Sequence, residues 1–228
     1  MIDKKHISIT VLIILLIISS LSAQIGIKGG PALSDIVFAN KGQTPYLSYE
    51  INSLTHRFPY LTYQFGIFTN YAIGKRFELQ PELLFVKKGL NYSKNYIYDD
   101  ITYIIKICYL EIPILLKYSF TKSKRSAIII GPYFSYMIDN KRIREFDGEL
   151  IKDEMNNVDK FDFGIATGLS FDIGERFIID TRFTYSLVEM MDYLDGVKLD
   201  YYGPEDERAR NVNLSLTLGY NLPLVNTK

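Results

Sequence analysis

The sequence predicts an all-β protein, an eight-stranded antiparallel up-and-down transmembrane β-barrel. Three observations predict it. Alternation of apolar and polar residues with a period of two recurs in eight stretches. The connections between those stretches alternate strictly between short and long. The polar faces of the clearest stretches carry small residues, where a water-facing sheet would carry Lys and Glu.

Composition leaves room for this architecture and excludes others. Of 228 residues, 47% are hydrophobic and 23% charged, enough apolar surface to offset the entropy of ordering a chain. The 26 basic and 26 acidic residues balance, so no basic surplus points to nucleic acid as a partner. A single cysteine, Cys108, excludes an intrachain disulfide framework and a cysteine-cluster metal site. Aromatic residues are 18 Tyr and 14 Phe with no Trp, so any aromatic belt is built from Tyr and Phe.

The first segment reads as an address. Lys4 and Lys5 precede a run from Ile7 to Ile18 that is almost wholly Ile, Leu and Val, and Ser19 to Ala23 closes it with small residues. A charged start, a short apolar middle and a small-residue exit describe a secretory signal peptide, residues 1–23, with Leu21 departing from the usual small residue before the cut. The apolar run is short for a spanning helix, which needs about 20 residues. Removing Lys4, Lys5 and Asp3 leaves 24 basic and 25 acidic residues on a barrel domain of 24–228, with His56 its one histidine.

The strands follow in order. Ile25 to Ser34 is a Gly-rich first strand with Ile25, Ile27 and Leu33 on one face and Gly26, Lys28 and Gly30 on the other. Tyr60 to Ile73 is the second. Phe77 to Lys88, the third, sets Phe77, Leu79, Pro81, Leu83 and Phe85 against Glu78, Gln80, Glu82 and Leu84. Leu110 to Phe120 opposes Ile112 and Ile114 to Glu111 and Lys117, and Ser126 to Ile138 is the fifth. Phe161 to Ile173 alternates most cleanly, with Phe163 and Phe171 against Asp162, Gly164 and Asp172. Phe177 to Leu187 places Asp180, Arg182 and Thr184 on its polar side, and Val212 to Tyr220 ends the set with Asn213, Ser215 and Thr217 on that side. Most of these runs match the 9–11 residues, roughly, that a tilted strand needs to cross a bilayer.

Tight turns fall at Gly74-Lys75-Arg76, Thr121 to Arg125 and Gly174-Glu175-Arg176. Long connections fall at 35–59, 93–103, 139–159 and 189–210. Short periplasmic turns and long extracellular loops sort this way in an outer-membrane barrel, placing both termini on the periplasmic side. Tyr60, Tyr71, Phe77, Tyr118, Phe120, Phe177, Tyr185 and Tyr220 lie near strand ends, where interfacial girdles form.

On the inward faces this leaves Lys28, Glu78, Glu82, Glu111, Lys117, Asp162, Asp172, Asp180 and Arg182. Charges of both signs inside a narrow barrel have to pair, because an unpaired buried charge costs several kcal/mol. An eight-stranded barrel is just wide enough for its own side chains, so the expected arrangement is a structural polar plug, with Glu82, Glu111, Lys117 and Arg182 as its network. A gated polar path is the competing arrangement. No catalytic pattern accompanies these residues: His56 falls in the first long loop, and no P-loop, EF-hand or HExxH occurs. Asp99-Asp100, Asp192, Asp195 and Glu205-Asp206-Glu207 fall in loops as solvated charge, and Cys108, near the start of the fourth strand, is expected to be a small apolar filler. No metal site and no cofactor are expected.

Five stretches carry a resemblance: Gly26-Ile27-Lys28-Gly29-Gly30, Leu79-Gln80-Pro81-Glu82-Leu83-Leu84, Tyr109 to Tyr118, Gly131-Pro132-Tyr133-Phe134-Ser135-Tyr136 and Phe161 to Gly168. In this order the chain resembles the outer-membrane β-barrels of Bacteroidetes called PorT-like or "porin family". The resemblance spans the sequence after residue 23 and implies an outer-membrane location. Its founding member is linked to a secretion and gliding apparatus, and most relatives have no assigned function. The chain departs from the barrel pattern in ending without a terminal aromatic, Tyr220 and Leu222 being the nearest substitutes.

The sequence therefore points to a monomeric, non-enzymatic outer-membrane barrel with a filled lumen and long outer loops, a structural or interaction protein. A small solute or ion channel, an accessory of a protein secretion system and, more distantly, a lipid-modifying enzyme are the alternatives. Outer-membrane lipid is the expected partner, with other envelope or secretion proteins as further ones.

Overall fold

A computed structural model describes residues 24–40, 55–95, 100–120, 125–146, 149–153, 159–188 and 207–223. The strands are β1 (Gln24–Asn40), β2 (Thr55–Phe58), β3 (Tyr60–Ala72), β4 (Phe77–Asn95), β5 (Asp100–Ser119), β6 (Ser126–Phe146), β7 (Glu149–Asp153), β8 (Phe161–Ile173), β9 (Phe177–Ser186) and β10 (Glu207–Asn221). Eight of them close a ring in the order β4-β3-β1-β10-β9-β8-β6-β5, sealed where β4 pairs with β5. Every pairing in the ring is antiparallel. Closure leaves no ladder edge in the ring, the condition for a sheet to survive in hydrocarbon. The seam joins the two ends of the sequence, with Gly26 opposite Asn221 and Leu33 opposite Leu214.

The short β2 and β7 are additions to one rim. β2 continues β3 across Pro59, which cannot donate to the ladder, and pairs with the far end of β4. β7 folds back on the far end of β6, Glu149 opposite Phe146. Strands β4, β5 and β6 run 19, 20 and 21 residues, well past what a bilayer requires. The connection expected at 93–103 is therefore mostly strand, with Asn95 opposite Asp100. Likewise His56, expected in a long loop, sits on β2 opposite Ser93. Residues 1–23, Asp99, Asp192, Asp195, Glu205 and Asp206 lie outside the described residues.

The opposite rim is tight. Gly74 donates its backbone N–H to Phe77 O at 3.2 Å, and Gly174 turns the chain from β8 into β9 at φ 67°, a conformation that costs a side-chain-bearing residue dearly. Phe77 packs on Tyr118 and Phe177 on Tyr220 at this rim, with ring centroids 5.1 and 5.2 Å apart.

The faces are inverted relative to a protein that folds in water. Leu61, Phe65, Ile67, Ile130, Phe134, Leu216 and Leu218 are exposed on the outside, while Ser34, Gln80, Lys88, Asn211 and Ser215 are buried within. On the inward face Gly30, Gly66, Gly131 and Gly168 let the adjoining strand approach closely. At each, the space a Cβ would need is taken by a carbonyl of the adjoining strand, that of Leu216, Leu83, Ile114 or Thr181. Glycine is the residue that allows so close an approach of one strand's backbone to the next.

Candidate functional site

Among the described residues, buried polar chemistry is concentrated in the lumen, and alternation puts it there. Counting by twos up β4 from the tight-turn rim gives Glu78, Gln80, Glu82, Leu84, Val86, Lys88 and Leu90, with all but the half-buried Glu78 fully enclosed. The same parity brings Lys28 from β1, Glu111 and Lys117 from β5, Asp162 from β8, and Asp180 and Arg182 from β9 inward, all buried.

These charges assemble into three groups. In the first, Arg182 donates to Glu82 from both Nη atoms, at 2.7 and 2.9 Å. β9 and β4 are four strands apart either way around the ring, so this pair bridges opposite walls. Lys28, midway between them on β1, donates to Glu82 at 2.8 Å and also to Asp180. Gln80 donates a further 2.5 Å bond to Glu82. Two cations and two carboxylates thus cancel in a space closed to water, which is what makes such a cluster tolerable.

The second group lies nearer the wide rim. Lys88 meets Glu111 at 3.0 Å and Asp162 at 3.2 Å, and its ammonium rests over the rings of Tyr133 and Tyr109, 4.5 and 5.0 Å from their centroids. Asp162 accepts from Ser186 at 2.6 Å and from Asn211 at 3.1 Å, and Ser135 donates to Glu111 at 2.9 Å. The third group is looser: Lys117 faces a half-exposed Asp172 at 3.8 Å, with Glu78 opposite Lys117 in the ladder.

Glu82, Glu111, Lys117 and Arg182 therefore do not form the single network expected of them. Only Glu82 and Arg182 meet; Glu111 is taken by Lys88, and Lys117 by Asp172. Lys88, Tyr109, Tyr133, Ser186 and Asn211 join the buried groups without having been among the expected inward charges. The signal for Lys88 was present, since it continues the Glu78–Glu82 parity by three more steps.

Apolar side chains and uncharged polar ones, Thr62, Gln64, Thr184, Asn213 and Thr217 among them, fill the rest. Leu115, Ile129, Tyr133 and Ala166 form a fully buried cluster on one wall, and Leu84 and Val86 lie between Glu82 and Lys88 on another. Near the tight-turn rim Phe68 fills the space left by Gly26 and Gly219, its ring 3.2 Å from where a Cβ of Gly219 would lie. Cys108 stands in the middle of β5, at a register shift against β6, half-exposed on the outer face. Among the described residues no group of His, Cys, Asp and Glu is arranged to hold a metal ion.

No curated protein matches the chain. Solved structures of similar shape include Ail, the attachment invasion locus protein of Yersinia pestis (11% identity, TM-score 0.41, covering 89% of this chain and 100% of that one). They also include Neisserial surface protein A (12%, 0.42, 88% and 99%) and outer membrane protein W of Escherichia coli (12%, 0.36, 89% and 99%). Residues 19–192 match the family described as outer membrane protein beta-barrel domain, which takes in β1 to β9 and the charged residues of all three groups. With its closed ring, its apolar exterior and this match, the chain belongs to the outer membrane protein beta-barrel family and resides in the bacterial outer membrane.

Proposed function

We propose that this protein is a side-chain-plugged outer-membrane barrel with a structural or interaction role, presenting its long outer segments to partners while its lumen passes no solute. The observation that carries the proposal is the contact of Arg182 with Glu82 across the axis, with Lys28 wedged beside it. A solute would have to part Arg182, Glu82 and Lys28, which are neutral only together with Asp180, leaving charges unpaired in a closed space. The protein acts as a monomer in lipid, uses no cofactor and performs no catalytic step. The order of its five motifs supports a narrower kinship with the PorT-like barrels of Bacteroidetes, and through it a place beside secretion proteins of the envelope.

Planar-bilayer recording tests the plug. Wild-type protein is expected to show no steady conductance, and a Glu82→Ala/Arg182→Ala double variant to show discrete openings. Steady wild-type conductance would reject the plug in favour of a small solute or ion channel. One observation favours that second reading: Gln80 Oε1, Ser170 Oγ, Asp180 Oδ1 and Asn213 Oδ1 are buried with no hydrogen-bond partner among the described residues, a set that water would satisfy.

A further inference from the structure

Three lysines face outward on three consecutive strands: Lys87 on β4, Lys106 on β5 and Lys141 on β6. Lys106 lies directly opposite Lys141 in the ladder. One step toward the tight-turn rim, Lys87 lies opposite Cys108, and Cys108 opposite Asp139. Residues directly opposite in an antiparallel pair hold their Cβ atoms about 5 Å apart, and like charges so placed destabilise the sheet. Asp139 answers Lys141 at 3.4 Å, and Lys87 rests over the Tyr63 ring at 5.4 Å. Lys106 has no carboxylate partner among the described residues. Three cations and one carboxylate leave a local surplus of two positive charges, although basic and acidic residues are equal in number over the whole chain.

Height on the barrel identifies what supplies the missing negative charge. Below the row of Lys87, Cys108 and Asp139, the next outward residues toward the tight-turn rim are Phe85 on β4, Leu110 on β5 and Tyr136 on β6, the upper part of the apolar belt. The lysines therefore stand where lipid tails give way to headgroups, and Tyr63 beneath Lys87 is the kind of ring that seats at that depth. A cluster of basic side chains at this level binds anionic headgroups.

We propose that Lys87, Lys106 and Lys141 form a docking site for a phosphorylated glycolipid of the outer leaflet, held through its phosphates, with Tyr63 against its acyl-sugar boundary. The assignment rests on the outer-membrane location and on the wide rim facing outward. It is independent of whether the lumen conducts.

Titration of the full chain in detergent with bisphosphorylated lipid A, with the same lipid stripped of phosphate and with inorganic phosphate tests it, read by native mass spectrometry. Lipid A is expected to bind, the dephosphorylated lipid to bind at least tenfold more weakly, and inorganic phosphate not to displace lipid A at equal concentration. Each Lys→Gln change should weaken lipid A roughly fivefold, the effect of one basic residue at a charged membrane surface. Arg176→Gln at the tight-turn rim should leave affinity unchanged. A second readout separates docking from folding: Lys106→Gln should raise the unfolding midpoint in plain micelles, where it relieves repulsion, and lower it in micelles containing lipid A. Equal binding of the dephosphorylated lipid, full affinity in K87Q/K106Q/K141Q, or displacement by inorganic phosphate alone would each overturn the proposal.

Discussion

Arg182 and Glu82 meet at the barrel axis from opposite walls, joined by two hydrogen bonds of 2.7 and 2.9 Å although 100 residues separate them in sequence. A guanidinium gripping a carboxylate with two parallel bonds fixes both distance and orientation, which a single-point contact does not. The pair therefore acts as a strut that sets the width of the lumen.

Breaking one end of that strut should cost more than removing it whole. Arg182→Met or Glu82→Gln leaves the buried four-charge cluster with one uncompensated charge, a loss of about 3–5 kcal/mol. The double variant E82Q/R182M should recover a large part of the loss. Urea unfolding in lipid vesicles measures both, and strictly additive costs would show that the residues do not act together.

Lys88 should behave as the single cation of its group. Lys88→Met leaves Glu111 and Asp162 facing each other without compensation, and the folded fraction at a given urea concentration should fall sharply. Adding Glu111→Gln and Asp162→Asn to that variant should restore folding. The heat-induced shift in gel mobility, with and without boiling in SDS, follows this directly.

Phe68 should matter as volume. It fills the space between two glycines of the tight-turn end, so Phe68→Ala opens a void worth about 3–5 kcal/mol. Gly26→Ala should also destabilise, because the new methyl would run into the Phe68 ring and approach Tyr220 O at 2.8 Å. Joining Gly26→Ala with Phe68→Leu should cost less than the sum of the two changes, as measured by urea midpoints.

The outer surface should discriminate by height. Ile114, exposed opposite Pro81 within the apolar belt, faces hydrocarbon. Ile114→Arg should cost about 2–4 kcal/mol, the penalty for a cation near the bilayer midplane. Ile104→Arg, one outward step beyond Lys106, should cost less than about 1 kcal/mol, as at an interface. Equilibrium unfolding in vesicles compares them, and equal costs would mean the belt edge lies elsewhere.

Strand direction, face and order were legible where lipid enforces contrast. Phe161 to Ile173 shows every outward residue apolar or Thr and every inward one polar or small, and its bounds in the structure are the same. Above the belt that contrast disappears, because both faces of a strand meet polar surroundings. There the far ends of β4, β5 and β6 read as loop in the sequence. The register shift at Cys108 and Tyr109 adds to the difficulty, since it reverses the parity of β6 beyond Ile138. The inward charges were legible individually from parity. Their pairing was not, because which walls face each other depends on ring closure and strand offset, and neither leaves a local mark near Glu82 or Lys88.

The seam between β1 and β10 has a temporal consequence. Gly26 is among the first described residues to emerge during synthesis, yet its ladder partner Asn221 is among the last. Every hairpin from β3 to β9 has nearby partners to pair with as the chain lengthens, but the ring has to wait for its final strand. Pairing across so great a separation is the slowest class of contact to form. Until it forms, β1 offers an unpaired edge, and Lys28 lacks Asp180 while Glu82 lacks Arg182. The last strand delivered is therefore the commitment step of assembly, at which edge and interior charges are neutralised together.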